Sequence, residues 1–226
     1  MRAVIKRVIP LHMLHRTLLT FPSLYRTRAV FYETNIGPAV GELLAQIDQT
    51  LQLEGDIVEC GSARCGTSVI IAEHLRRRGS TKKVYAYDSF EGFDLEELAA
   101  ERRAGLTEEQ DDSFTTTSYR YVREKIRRLG FEGIVIPVQG YFQATLPTNV
   151  AKTCCAFIDC DLRESIIYCA EQLWPHIPSG GRVIFDDYRS ENYRGARFGI
   201  EHVIERYQSE IAEHGLLQRL YYIRKS

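Results

Sequence analysis

The chain has 226 residues, 44% of them hydrophobic, which suffices for one domain with a full-sized core and leaves little room for a second. Its 29 basic and 30 acidic residues nearly cancel, so no global field points to nucleic acid or an anionic membrane. No stretch approaches the ~18 uninterrupted apolar residues of a membrane span, and Met1 to Arg7 lacks the long apolar segment of a secretory signal.

Residues 1–32 hold six basic side chains (Arg2, Lys6, Arg7, Arg16, Arg26, Arg28) and no acid, while Leu11, Leu14, Leu18 and Leu19 share one helical face. The expectation is an N-terminal helical arm or lid over residues 1–40, packed on its own domain or on a twin subunit in a homo-oligomer. Peripheral membrane contact is the second reading, because basic amphipathic stretches make it. Residues 41–226 form the main domain. It opens with an amphipathic helix over 41–53 through Leu43, Leu44, Ile47 and Leu51.

Short apolar runs then alternate with helical periods. Strands are predicted over 56–60, 83–87, 134–138, 154–158, 182–185 and 216–223, and helices over 67–78, 118–129, 163–176 and 196–213. Pro137 suits an edge strand. Residues 94–117 show no period and read as a mobile lid beside the site. This alternation predicts an α/β fold, a doubly wound, mostly parallel, Rossmann-like sheet with helices on both faces. Right-handed crossovers bring every parallel strand's C-terminal end to one rim, where such sheets bind ligands. Cys60, Cys65, Cys154, Cys155, Cys160 and Cys169 lack zinc-site spacing and read as buried thiols in a reducing, cytoplasmic setting.

Three clusters fall on that rim. Glu59-Cys60-Gly61-Ser62-Ala63-Arg64-Cys65-Gly66-Thr67-Ser68 joins the first strand to its helix, and Gly61 and Gly66 allow a tight turn and close approach to a ligand. It is neither GxGxxG nor a phosphate loop. Asp88, ending the second strand, can accept hydrogen bonds from both ribose hydroxyls of an adenosyl cofactor; the alternative is a helix cap. Asp159 ends the fourth strand and Asp186-Asp187 the fifth. Neighbouring strands lie about 4.8 Å apart, so these carboxylates converge and repel, which a hard divalent cation such as Mg²⁺ resolves. Asp161 is the acid best placed to cap the next helix.

Taken in order, Gly55-Asp56-Ile57-Val58-Glu59-Cys60-Gly61, Val84 to Phe93, Gly140-Tyr141-Phe142 with Thr145-Leu146-Pro147, Asp159-Cys160-Asp161-Leu162 with Glu164-Ser165, Gly180-Gly181 and Asp186-Asp187-Tyr188 resemble the macrocin O-methyltransferase family over about 54–205. The resemblance implies a class I methyltransferase domain over 41–226. It would use S-adenosylmethionine (SAM) and Mg²⁺ to methylate a hydroxyl, typically of a sugar, in natural-product biosynthesis. It places Glu59, Gly61, Ser62, Gly66, Thr67 and Ser68 along the methionine and ribose side of SAM. Asp88 would hold the ribose, Ser89 would belong to the same cofactor site, and Gln139, Gly140 and Tyr141 would lie near the adenine. Asp159, Asp186 and Asp187 would hold the metal, with Asp159 also the catalytic base.

The chain departs from the family pattern at Ala63-Arg64 and Arg163, and its tail leaves room for one final strand where the family has two. Leu162 stands where catechol-type relatives place a lysine, which leaves Asp159 in the role of base. An NAD-type oxidoreductase is disfavoured by the missing GxGxxG. A non-catalytic SAM-binding protein and a methyltransferase for non-sugar hydroxyls remain open.

Overall fold

The computed structural model describes residue 34, residues 36–149 and residues 152–226, with 147–149 described by backbone alone. The predicted arm lies outside these residues apart from its last positions. Among those, Ile36 and Ala39 are buried against Leu43 and Ile47 of helix α1 (Val40–Asp48). Helix α1 is shorter than the sequence predicted. Its last turn is closed by the Thr50 hydroxyl, which donates to the Ile47 carbonyl at 2.8 Å.

The architecture is a seven-stranded sheet in the order β3-β2-β1-β4-β5-β7-β6. The strands are β1 (Asp56–Cys60), β2 (Val84–Asp88), β3 (Val135–Gln139), β4 (Thr153–Ile158), β5 (Arg182–Phe185), β6 (Ile211–Leu216) and β7 (Tyr221–Lys225). The first five are parallel; β7 runs antiparallel to both β5 and β6. Pro137 sits in β3, one of the sheet's two edge strands, where a missing N–H costs no ladder bond. Every residue of β4 is buried, as expected of a central strand covered on both faces.

The helices that follow are α2 (Gly66–Arg77), α3 (Leu95–Arg103), α4 (Tyr119–Leu129), α5 (Phe142–Asn149), α6 (Arg163–Leu173) and α7 (Arg194–Arg206). Local chemistry explains several boundaries. Ser118 caps α4 by accepting from the Tyr121 N–H, and Gly130 ends it in the left-handed region. His74, Arg76 and Arg77 in the last turn of α2 oppose the negative end of its dipole.

Two expectations are corrected. The tail is not one strand short: the last helix ends at Arg206 and β6 completes the sheet. The register of β6 against β7 shifts between Ile211 and Glu213, and no residue of β6 is buried, so it shows no apolar alternation. The 94–117 stretch is not all loop. Asp94 caps α3 by accepting from the Glu96 and Glu97 N–H groups, and Leu98 and Glu101 are buried. All six cysteines are free and buried. Among the described residues no helix is long and apolar enough to cross a membrane.

Candidate active site

Strand order reverses beside β1, since β1 leads to β2 on one side and β4 lies on the other. The rim there opens into a cavity of about 510 Å³. Its lining includes Glu59, Gly61, Ser62, Thr67, Asp88, Ser89, Tyr141, Asp159, Asp186 and Asp187 among the sequence-predicted residues. Gly66, Ser68, Gln139 and Gly140 do not reach the lining.

The turn after β1 owes its path to close backbone approach. Gly61 has φ +86°, and a Cβ there would collide with the Asp159 carbonyl of the neighbouring strand tip. The left-handed turn that follows is made by Ala63 and Cys65, at φ 45° and 52°, and Gly66 simply begins α2. Such conformations are costly for side-chain-bearing residues and concentrate at functional sites. The turn is held from outside by Lys125 of α4, whose buried ammonium donates to the Arg64 carbonyl. Glu59 is buried beneath it and accepts from the Ser68 hydroxyl. Burial pushes the Glu59 carboxyl up to about 8, against the lowering effect of Ser68.

Asp88 caps no helix. Its Oδ2 accepts from the Ala63 N–H at 2.8 Å and its Oδ1 from the Phe90 N–H at 2.6 Å. Each oxygen retains capacity for a further donor from the cavity. Burial raises its pKa even so. The Gly140 N–H donates to the Asp88 carbonyl, tying the β3 tip to the β2 tip, and Tyr141 beside it is exposed to the cavity.

At the opposite wall the Asp159 N–H donates to the Cys60 carbonyl at 2.8 Å and the Asp186 N–H to the Ile158 carbonyl at 3.1 Å, so three strand tips run side by side. One carboxylate oxygen from each of Asp159, Asp161 and Asp187 lies within 4.8 Å of the others. Asp161, expected as a helix cap, joins this cluster instead; α6 is capped at Leu162 without a side-chain bond. Asp161 and Asp187 take φ of 63° and 60°, a region aspartate tolerates better than most residues. Asp186 lines the same cavity but is not one of this group of three. Its Oδ1 accepts from Arg219 Nε at 2.8 Å and its Oδ2 from Arg219 Nη2.

Burial raises all three clustered carboxyls. Repulsion from Asp186 and Asp187 adds to it at Asp159, repulsion from Asp187 and Asp159 at Asp161, and repulsion from Asp186 at Asp187. Hard oxygen donors crowded in this way suit a small divalent cation.

Residues 94–117 roof the cavity. Phe93 packs edge-on against Phe114 at 5.2 Å and against Tyr193 at 6.2 Å, and Arg64 Nη2 donates to the Thr116 hydroxyl at 2.6 Å. Glu97 accepts from the Ser165 N–H at 2.8 Å and its hydroxyl at 2.6 Å, and Glu101 accepts from the Arg163 N–H at 2.9 Å. Two carboxylates of α3 thus satisfy the otherwise uncapped start of α6.

The model of the macrocin-O-methyltransferase (TylF) family matches residues 39–216. The chain is 33% identical over 178 residues to an 8-demethyl-8-(2,3-dimethoxy-alpha-L-rhamnosyl)-tetracenomycin-C 4'-O-methyltransferase of Streptomyces olivaceus, covering 73% of this chain and 66% of that protein. It is also 33% identical over 140 residues to a demethyldecarbamoylnovobiocin O-methyltransferase of Streptomyces niveus, covering 59% and 53%. The chain therefore spans less than two-thirds of either relative. Two solved structures share the fold. The O-methyltransferase NovP has a TM-score of 0.67 at 21% identity, covering 84% of this chain and 80% of that one. The calicheamicin methyltransferase CalS11 has 0.68 at 19% identity, covering 95% and 91%.

Proposed function

Because this chain belongs to the macrocin O-methyltransferase family, we propose that it is a SAM-dependent, divalent-cation-dependent O-methyltransferase acting on a hydroxyl, that of a sugar, on a small molecule or glycoconjugate. The observation that carries this reading is the convergence of the Gly61 turn, Asp88 and the Asp159–Asp161–Asp187 cluster on one cavity. The rhamnosyl group in the name of the Streptomyces olivaceus relative supports the sugar hydroxyl.

SAM supplies a methyl group already activated by its sulfonium charge. Asp88 offers both carboxylate oxygens to the two ribose hydroxyls, and the backbone amides bonded to it fix its rotamer. Glu59, Gly61, Ser62 and Thr67 border the methionine side, with Ser68 orienting Glu59 from behind and Gly66 starting the helix. Ser89 and Tyr141 border the adenine side, and Gln139 and Gly140 set the strand end from which Tyr141 projects.

Asp159, Asp187 and Asp161 present the carboxylates that fit a cation, and Asp186 stands next to them. These residues would hold a divalent cation, whose positive charge would keep the carboxyls ionised and favour loss of a proton from a nearby hydroxyl. Asp159 accepts that proton on a carboxylate oxygen. Phe93, Phe114 and Tyr193 exclude water from above, and the cavity orients the acceptor oxygen toward the methyl group.

The test is methyl transfer from labelled SAM to a panel of rhamnosides and other glycosides. Labelled ether product is expected, lost with EDTA and lost in Asp159→Asn. Product formation at full rate in both conditions removes the cation and Asp159 from the reaction.

A further inference from the structure

Arg219 lies three residues past the family match, in the turn between β6 and β7, so the resemblance assigns it no part. The turn is fixed in place. The Leu217 N–H donates to the Leu220 carbonyl at 2.8 Å, Leu220 is buried, and the Arg219 N–H donates to Glu42 Oε2 of α1 at 3.3 Å. From there the guanidinium reaches into the cavity and takes both oxygens of Asp186, whose side chain is only 1% exposed. Four carboxylates thus lie at the strand tips, and among the described residues that line the cavity the cation beside them is Arg219.

We propose that Arg219 is a resident counter-cation: a positioning residue that holds Asp186 away from the Asp159–Asp161–Asp187 cluster and weakens the hold of that cluster on a divalent cation. The inference rests on the cation reading above.

Two effects act in the same direction. A two-pronged guanidinium bond occupies the oxygens that Asp186 could otherwise turn toward a metal. The positive charge also repels a divalent ion a few ångströms away in a partly desolvated site. A cation that recruits Asp186 must first displace Arg219. Arg219 is part-exposed and has solvent to move into, whereas Asp186 does not. The arrangement keeps the site folded whether or not a divalent ion is bound, because a buried carboxylate left without a partner is strongly destabilising, and leaves the cation exchangeable.

The experiment is Mn²⁺ titration of the full chain without SAM, read by electron paramagnetic resonance of the free ion, for wild type, R219Q and R219K, with thermal melts in parallel. R219Q is expected to bind Mn²⁺ about tenfold more tightly than wild type. Its melting temperature without metal should be lower, and Mg²⁺ should raise it more than it raises that of wild type. R219K keeps the charge but loses the fork, and is expected to bind at least twofold more tightly. It decides the matter if R219Q does not fold. Binding by R219Q less than threefold tighter than wild type, or by R219K no tighter than wild type, overturns the role of Arg219 while the cation reading stands. No Mn²⁺ binding by any of the three proteins overturns both.

Discussion

Glu59 and Asp186 are both buried carboxyls at strand tips, yet they are held in opposite ways. Arg219 keeps Asp186 company, whereas Glu59 has a neutral hydroxyl donor in Ser68 and a carboxyl raised to about 8. At pH 7 the folded protein therefore keeps a proton on Glu59 that the unfolded chain, at about 4.5, releases. The stabilisation this gives is complete below pH 4.5 and is lost as pH rises through 8, with a slope of at most about 1.4 kcal/mol per pH unit from this group. Melting temperatures of wild type should fall more steeply between pH 6 and 9 than those of Glu59→Gln; identical slopes would place the proton elsewhere. The strand-tip acids Asp159, Asp186 and Asp187 were legible in the sequence, because they follow the apolar runs of adjacent strands. The approach of Asp161 and Arg219 was not. One depends on a left-handed residue just after a strand, the other on a hairpin turn that delivers a side chain from another strand connection. Neither leaves a periodic signal.

The helix α3 shows what a stretch without apolar period can hide. Its exposed charges mask a helix whose buried face is partly made of carboxylates rather than leucines, since Glu97 and Glu101 face the start of α6. Each acts as a cap supplied from outside the helix it caps. Glu97→Ala should cost about 0.5–2 kcal/mol, the range of a lost N-cap, and speed hydrogen exchange at the Ser165 amide above all. An unchanged exchange rate there would show that the roof element is not tied to α6. Strand β6 escapes the sequence for a related reason: its register shift between Ile211 and Glu213 and its exposed positions break alternation, and only its pairing with β7 makes it a strand. Elements fixed by internal periodicity, such as β1, β4, β5 and α4, were placed within a residue or two by sequence.

For the whole molecule, the order of strands turns separate motifs into one site. Residues from the tips of β1, β2, β4 and β5 are far apart in the chain and share a cavity only because the sheet is doubly wound and its order reverses beside β1. The fold class, the rim and the ends of the parallel strands followed from alternation. The composition of the roof and the final pair of strands needed the coordinates. The account depends on this cavity taking an adenosyl sulfonium through Asp88 while the carboxylates opposite serve the acceptor. Calorimetric titration of SAM into wild type, Asp88→Ala and Asp159→Asn separates these halves in one measurement. The expected result is one SAM per chain for wild type, a loss of at least tenfold in affinity (about 1.4 kcal/mol) for Asp88→Ala, and a change of no more than about threefold for Asp159→Asn. Failure of wild type to bind SAM, or equal affinity in Asp88→Ala, would contradict it.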